Sequence, residues 1–155
     1  MWLPNYLKER IILLGTQKQI DTGLFVLRVA IGCLMLVHGI QKLMGFSGMA
    51  DVFPDPIGMG SQLSLTMAIG AEVGCSILLI LGLGTRLAVI PLAFTMIVAL
   101  FVVHAADPWK VKELAAIFLT VYVVIFITGP GNCSLDAKLL TKAKVGTRDE
   151  LPNPK

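Results

Sequence analysis

The stretch Gly23–Met44, GLFVLRVAIGCLMLVHGIQKLM, decides how the chain must fold. It is an almost unbroken apolar run of membrane-spanning length, since about 20 residues at ~1.5 Å rise cross a ~30 Å hydrocarbon core. Yet it carries Arg28, His38 and Lys42. With Arg28 set as the origin and each residue advancing about 100°, Ile31, Met35, His38 and Lys42 fall within roughly 80° of it, and Gly32 and Gly39 lie just across. The ionisable groups therefore share a face. A charge within a span turns toward protein or a wet cavity, because facing lipid costs several kcal/mol. This face predicts one wall of a polar site inside a membrane bundle.

Composition narrows the class. A chain that is 55% hydrophobic and only 15% charged departs far from the balance of soluble domains. Four apolar stretches, at about 22–44, 62–84, 87–105 and 113–129, are each long enough to span. The expected fold is an all-α integral membrane four-helix bundle over residues 21–130. An amphipathic helix lying in the membrane interface, or serving a cytoplasmic partner, is expected over residues 1–20, and a cytoplasmic tail over 131–155. In that tail Ser134 is a good N-cap for a short amphipathic helix bearing Lys138 and Lys142. The apolar piece Ile11–Leu14 is too short for the core of a cleaved signal, so the first span is expected to be an uncleaved start signal.

Lys and Arg set the orientation. Lys8, Arg10 and Lys18 precede the first span, Arg86 sits between the second and third, and Lys138, Lys142, Lys144, Arg148 and Lys155 follow the fourth, whereas the opposite side holds Lys110 and Lys112. Both termini are therefore expected in the cytoplasm. The net charge of +3 reflects this placement, and no basic-aromatic stripe points to nucleic acid.

The second span places Glu72 close to mid-membrane, where a carboxylate demands a basic partner or a proton. His38 and Lys42 are the partners nearest in depth. Gly70 and Gly74 lie about 200° around the helix from Glu72 and form a small-residue stripe, suited either to packing within the bundle or to contact with another subunit. The third span contains Pro91, an expected kink, and ends at His104; the fourth opens with Glu113, with Thr120 on its face and Tyr122 opposite. The link Gly45–Ser61 has two Asp, two Pro and several large apolar residues, and is long enough to form a lid over the outer end.

His38, Lys42, Glu72, His104 and Glu113 thus fall on the outer half of the bundle, with Arg28 nearer the cytoplasmic boundary. Such a cluster supplies donors, acceptors and proton carriers in an apolar container, which is what reducing a quinone carbonyl would use. The catalytic candidates are Glu72, His38 and Lys42; the substrate-binding candidates are His104, Glu113 and Arg28. An ion-pair network fixing helix register is the structural alternative, and Arg28 can also snorkel toward the cytoplasm. Two His residues on separate helices would suit haem, and Met44, Met49, Met59 and Met67 with His38 and His104 invite copper, but their spacing makes no motif. Cys33, Cys75 and Cys133 are isolated and form no C-x-x-C relay; Cys33 and Cys75 are expected to be buried at apolar sites.

From Leu27 to Leu139 the chain resembles the DoxX family of small four-span bacterial membrane proteins. The resemblance rests on R-x3-G-x5-HG-x2-K at Arg28, Gly32, His38, Gly39 and Lys42, on AEVG around Glu72 and Gly74, on GLGTRL at Gly82–Leu87, on the stretch of Met96 and Ala99, on Glu113, and on GPGNCSLD ending at Asp136. It implies a multi-pass protein of the bacterial inner membrane in redox partnership: relatives include a subunit of thiosulfate:quinone oxidoreductase, and others associate with superoxide dismutase and a sulfurtransferase. The leading expectation is a quinone-interacting subunit of a redox complex, with Glu72 and His38 contacting the quinone head and Lys42 setting their charge. No other cofactor is expected, and the partners are the bilayer and a protein partner or second copy. A non-catalytic anchor for a soluble partner is the alternative, and small-solute or copper handling the third.

Overall fold

The computed structural model describes the backbone of residues 5–149 and the side chains of residues 15–142, and the described residues are helical without strands. Helix α1 (Asn5–Met44) runs unbroken into and through the first span. The short α2 (Phe46–Met49) and an irregular stretch lead to α3 (Ser61–Leu81), followed by α4 (Thr85–Val103), α5 (Trp109–Thr128) and α6 (Leu135–Asp149). Four of these carry membrane-spanning stretches: Gly15–Met44, Ser61–Leu81, Thr85–Val103 and Trp109–Thr128. The protein is an all-α, four-span membrane bundle. The side chains of residues 1–14, on which the expected interfacial helix depends, lie outside the described residues.

Consecutive spans pack against one another, and α1 closes the bundle by touching α5. The core is built from Ile31 and Met35 of α1, Leu79 of α3, Leu92 and Met96 of α4, and Phe118, Tyr122 and Ile125 of α5. Large apolar side chains such as Leu34, Leu87, Phe101 and Ile127 cover the outside, as expected of a surface solvated by acyl chains. The face predicted from Arg28 is the buried one: Arg28 and Met35 are 1% exposed and Ile31 6%.

Two spans depart from regular α geometry. In α3 the turn Gly70–Cys75 is π-helical, and in α4 the turn Ala99–Val103 is π-helical, ending with the His104 N–H donating to the Ala99 carbonyl at 3.0 Å. Such widened turns insert a residue into the helical register and recur at functional sites. The second span was expected to reach residue 84. It stops at Leu81 because Gly82 turns left-handed at φ 71° and takes the last helical carbonyls on its own N–H and that of Leu83.

Candidate functional site

The two ends of the bundle hold separate polar clusters. At the end away from the termini, the Lys42 ammonium donates to both carboxylate oxygens of Glu72. Glu72 is buried while Lys42 keeps part of its stem exposed. The pairing follows from local sequence: Gly39, one turn before Lys42, has no side chain to hold the helices apart, and α1 packs its backbone directly on Glu72. The π-helical turn carries Glu72 on the inner side and leaves Gly70 and Gly74 exposed, with nothing within 4 Å of either. The glycine stripe thus packs against nothing within the bundle.

Beside this pair lies a cavity of about 390 Å³, within the size range of ligand sites, between α3, α4 and the link. Lys42, Glu72, Ser64, Thr95 and His104 supply its polar atoms, while Met67, Phe94 and Met96 stand among its apolar walls. The link Gly45–Ser61 covers it, with Phe53, Pro54, Pro56 and Ile57 forming part of the lining, as the lid expectation required. Asp55 holds that lid in shape. Its carboxylate accepts the N–H of Met59 at 3.0 Å and of Gly60 at 2.6 Å, and the Ser64 hydroxyl at 2.8 Å. These bonds, that from Gly60 foremost, hold the Asp55 carboxyl below the usual carboxylate range. At the rim, His104 Nδ1 pairs with the Asp107 carboxylate at 2.7 Å.

Behind the pair, away from the cavity, an aromatic column joins α1 to α5. The His38 ring stands edge-on to Phe118 at 5.9 Å, and Phe118 stacks tilted on Tyr122 at 6.0 Å. The Tyr122 hydroxyl is buried without a hydrogen-bond partner and lies close enough to Glu72 to feel its charge.

The opposite end has its own polar cluster. Arg28 donates from Nη2 to the Cys133 carbonyl at 2.9 Å, while its Nε and Nη1 are buried without partners. Asp21, one heptad before Arg28, accepts the Asn132 N–H at 3.1 Å and its side-chain amide at 2.8 Å. Asp136 reaches across to the turn between the second and third spans, accepting the N–H groups of Gly84 at 2.7 Å and Thr85 at 3.0 Å. Burial alone would raise the Asp136 pKa, but the bonds from Thr85 and Gly84 and the nearby Arg28 charge outweigh it and hold the carboxyl below its usual range. Ser134 caps α6 as expected, its hydroxyl accepting the Ala137 N–H at 3.1 Å.

The structure therefore brings together Lys42, Glu72 and His104 around one cavity and sends the other candidates elsewhere. His38 packs on Phe118 instead of lining the cavity. Glu113, expected to converge on the site, is exposed with Thr120 on the outer side of α5, because Phe118, Tyr122 and Ile125 fill the bundle side. Arg28 belongs to the far cluster and is buried there, so it does not snorkel. Cys33 is exposed, not buried, and all three cysteines are free. The residues weighed for copper separate: Met59, Met67 and His104 line the cavity, while Met44 points outward. Among the described residues no three His, Cys, Asp or Glu side chains gather as metal ligands.

A family model, DoxX, matches residues 23–105, more than half of the chain and most of what frames the cavity. The chain belongs to the DoxX family. Among proteins similar to this DoxX member is the inner membrane protein YphA of Escherichia coli (strain K12), 31% identical over 128 residues, covering 74% of this chain and 89% of YphA. A Bacillus subtilis (strain 168) protein named "Putative oxidoreductase CatD" is 28% identical over 130 residues, covering 83% of this chain and 96% of that protein. A membrane protein of Mycobacterium tuberculosis, Rv3486, is 29% identical over 140 residues, covering 76% and 81%. No solved structure matches. The DoxX match takes in Arg28, Lys42, Glu72 and His104, and stops before α5, so Tyr122 and the segment closing the far cluster lie beyond it.

Sequence reading missed Asp21, Asp55, Tyr122, Asn132 and Asp136. A signal for the first existed: Asp21, Arg28, Met35 and Lys42 repeat at intervals of seven, which keeps all of them on one helix face. For Asp55 the signal was an acidic residue after Pro54 and ahead of Gly58 and Gly60, the composition of a side-chain-stabilised turn.

Proposed function

We propose that this DoxX protein is a quinone-interacting membrane subunit of a redox system. The observation that carries the reading is the buried Lys42–Glu72 pair set at the wall of an apolar, lidded cavity. A charge pair removed from water offers its strongest hydrogen bonds to whatever enters beside it, because the medium around it screens poorly. Lys42 presents N–H donors suited to a quinone carbonyl, and Glu72 an acceptor suited to the hydroxyl of the reduced form. The flat slot beside Ala68, Ala71 and Ala99 suits a planar ring. In this reading the electrons come from a redox partner, while the chain's own groups bind, orient and hold the proton. The oxidoreductase name of the Bacillus subtilis relative supports it.

We place the protein in the bacterial inner membrane with both termini in the cytoplasm, supported by the distribution of Lys and Arg and by the name of the Escherichia coli relative. The cavity then opens toward the outer half. Self-association is assigned to the open Gly70–Gly74 stripe, where backbones of two copies can approach closely. In mild detergent, Gly70→Leu is expected to reduce any oligomer to monomer, and a wild-type monomer removes that assignment.

The test is thermal stability of the purified protein with and without a benzoquinone. Wild type should be stabilised and Glu72→Gln should not be. Absence of quinone from membrane extracts of the protein, together with no shift in wild type, rejects the reading. A second reading, a non-catalytic anchor, is favoured by the far cluster, which ties the start of α6 to both α1 and the Gly82–Thr85 turn. It predicts that Glu72→Gln leaves partner recovery and cellular activity intact, while Asp136→Ala abolishes both.

A further inference from the structure

We infer that the cavity is entered sideways from the bilayer, and that its ligand is an amphiphile whose head sits at Lys42 and Glu72 while its apolar tail leaves between the second and third spans, past Met67 and Phe94. The inference rests on the reading of that charge pair as a head-group site. It names the route and the remainder of the molecule that the pair would hold.

Where the walls are breached decides the route. Met67 and Phe94 line the cavity, yet they are 55% and 49% exposed on the outside of the bundle. Neither lies at a helix end. Phe94 is the central residue of the span Thr85–Val103, and Met67 lies inside Ser61–Leu81, so the gap between them faces acyl chains. The end toward water is covered instead. There Phe53, Pro54, Pro56 and Ile57 form the lid, and Asp55 secures its far end to Ser64 of α3.

The shape of the cavity agrees. On α4 the lining runs from Pro91 to His104, a length of about 20 Å at the rise of a helix. That is long for a compact polar solute and suited to an extended chain. Small side chains, Ala68 and Ala71 on α3 facing Thr95 and Ala99 on α4, leave a slot where two ordinary spans would interdigitate. Away from Lys42, Glu72, Ser64, Thr95 and His104 the lining is apolar, so a solute that remained polar along its length would leave its own groups without partners.

The experiment uses the full chain in lipid nanodiscs and two probes: a benzoquinone carrying a ten-carbon tail, and the same head without a tail. Ala68→Phe and Val98→Phe each fill the slot from one side without touching the charge pair. Both are expected to weaken the tailed probe by about tenfold, the usual scale of overpacking, and to leave the tailless probe at its wild-type affinity. Equal losses for both probes, or no loss for either, overturn the inference. A photoreactive group at the end of the tail provides a measurement on the wild-type chain alone: labels at Met67 and Phe94 support the sideways route, and labels confined to residues 51–60 and His104 overturn it. If neither quinone binds wild type, the quinone reading falls. A fatty acid with the same photoreactive tail then tests the route separately, by the same two labelling outcomes.

Discussion

Gly82 makes room for Arg28: a Cβ built on Gly82 would lie 1.6 Å from the Arg28 Nη1. The same glycine also turns the chain at φ 71°, a conformation that side-chain-bearing residues enter only at a cost of about 1–2 kcal/mol. Gly82→Ala combines both penalties with displacement of a buried guanidinium. It should lower the apparent melting temperature in detergent by well over about 5 °C, on the usual scale relating free energy to melting temperature for a domain of this size. Gly70→Ala, where nothing lies within 4 Å, should leave it nearly unchanged.

Removing either member of the Lys42–Glu72 pair leaves the other buried and uncompensated, which costs about 3–5 kcal/mol. Lys42→Met and Glu72→Leu should each destabilise the bundle on that scale, whereas the double variant should fall within roughly 1 kcal/mol of wild type, since an apolar pair needs no compensation. Unfolding free energies in mixed micelles measure the difference. Additive losses would mean that the pair does not act as a unit.

Asp136 gives the far end a pH dependence with a definite sign. Its folded pKa lies below that of an unfolded Asp, about 3.9. The stability it contributes is therefore fully present above about pH 4 and is lost as pH falls through the lower folded value. Acidification below pH ~4 should accelerate amide exchange at Gly84 and Thr85, whose N–H groups Asp136 accepts. Asp136→Asn should show faster exchange already at neutral pH and no further acid step.

The lid should loosen independently of the bundle. Asp55→Ala frees the N–H groups of Met59 and Gly60, so their exchange should rise at least about tenfold while amides in the middle of α5 keep their wild-type rates. Simultaneous acceleration in both places would show that the lid and the spans open as one unit.

What the sequence conveyed about this bundle varied from helix to helix for a physical reason. In α1 the inward face is marked by ionisable groups, which cannot face lipid, so Arg28 and Lys42 point to the buried side as surely as apolar residues do in a soluble helix. In α5 every side of the helix is apolar, and the single acid near its start lies at the wet end. Glu113 therefore misdirected the choice of face, and Tyr122, on the side opposite, proved fully buried. Lys42 and Glu72 were legible as partners because each needed the other at similar depth. Arg28 was harder, since what receives it is a backbone carbonyl at Cys133 and space at Gly82, neither of which has a periodicity. The widened turns left no trace, because inserting a residue into a helical register changes neither composition nor hydropathy.

The widened turn at Gly70–Cys75 makes the second span two helices out of phase with each other. Deleting one residue there would restore a regular α-helix while rotating everything after it by about 100°. Leu79, now sealed in the core, would swing away, and an exposed neighbour such as Leu78 would turn in to take its place. Length changes in this part of the chain thus exchange inside for outside along half a span, and a variant one residue shorter must rebuild that half to keep its carboxylate at Lys42.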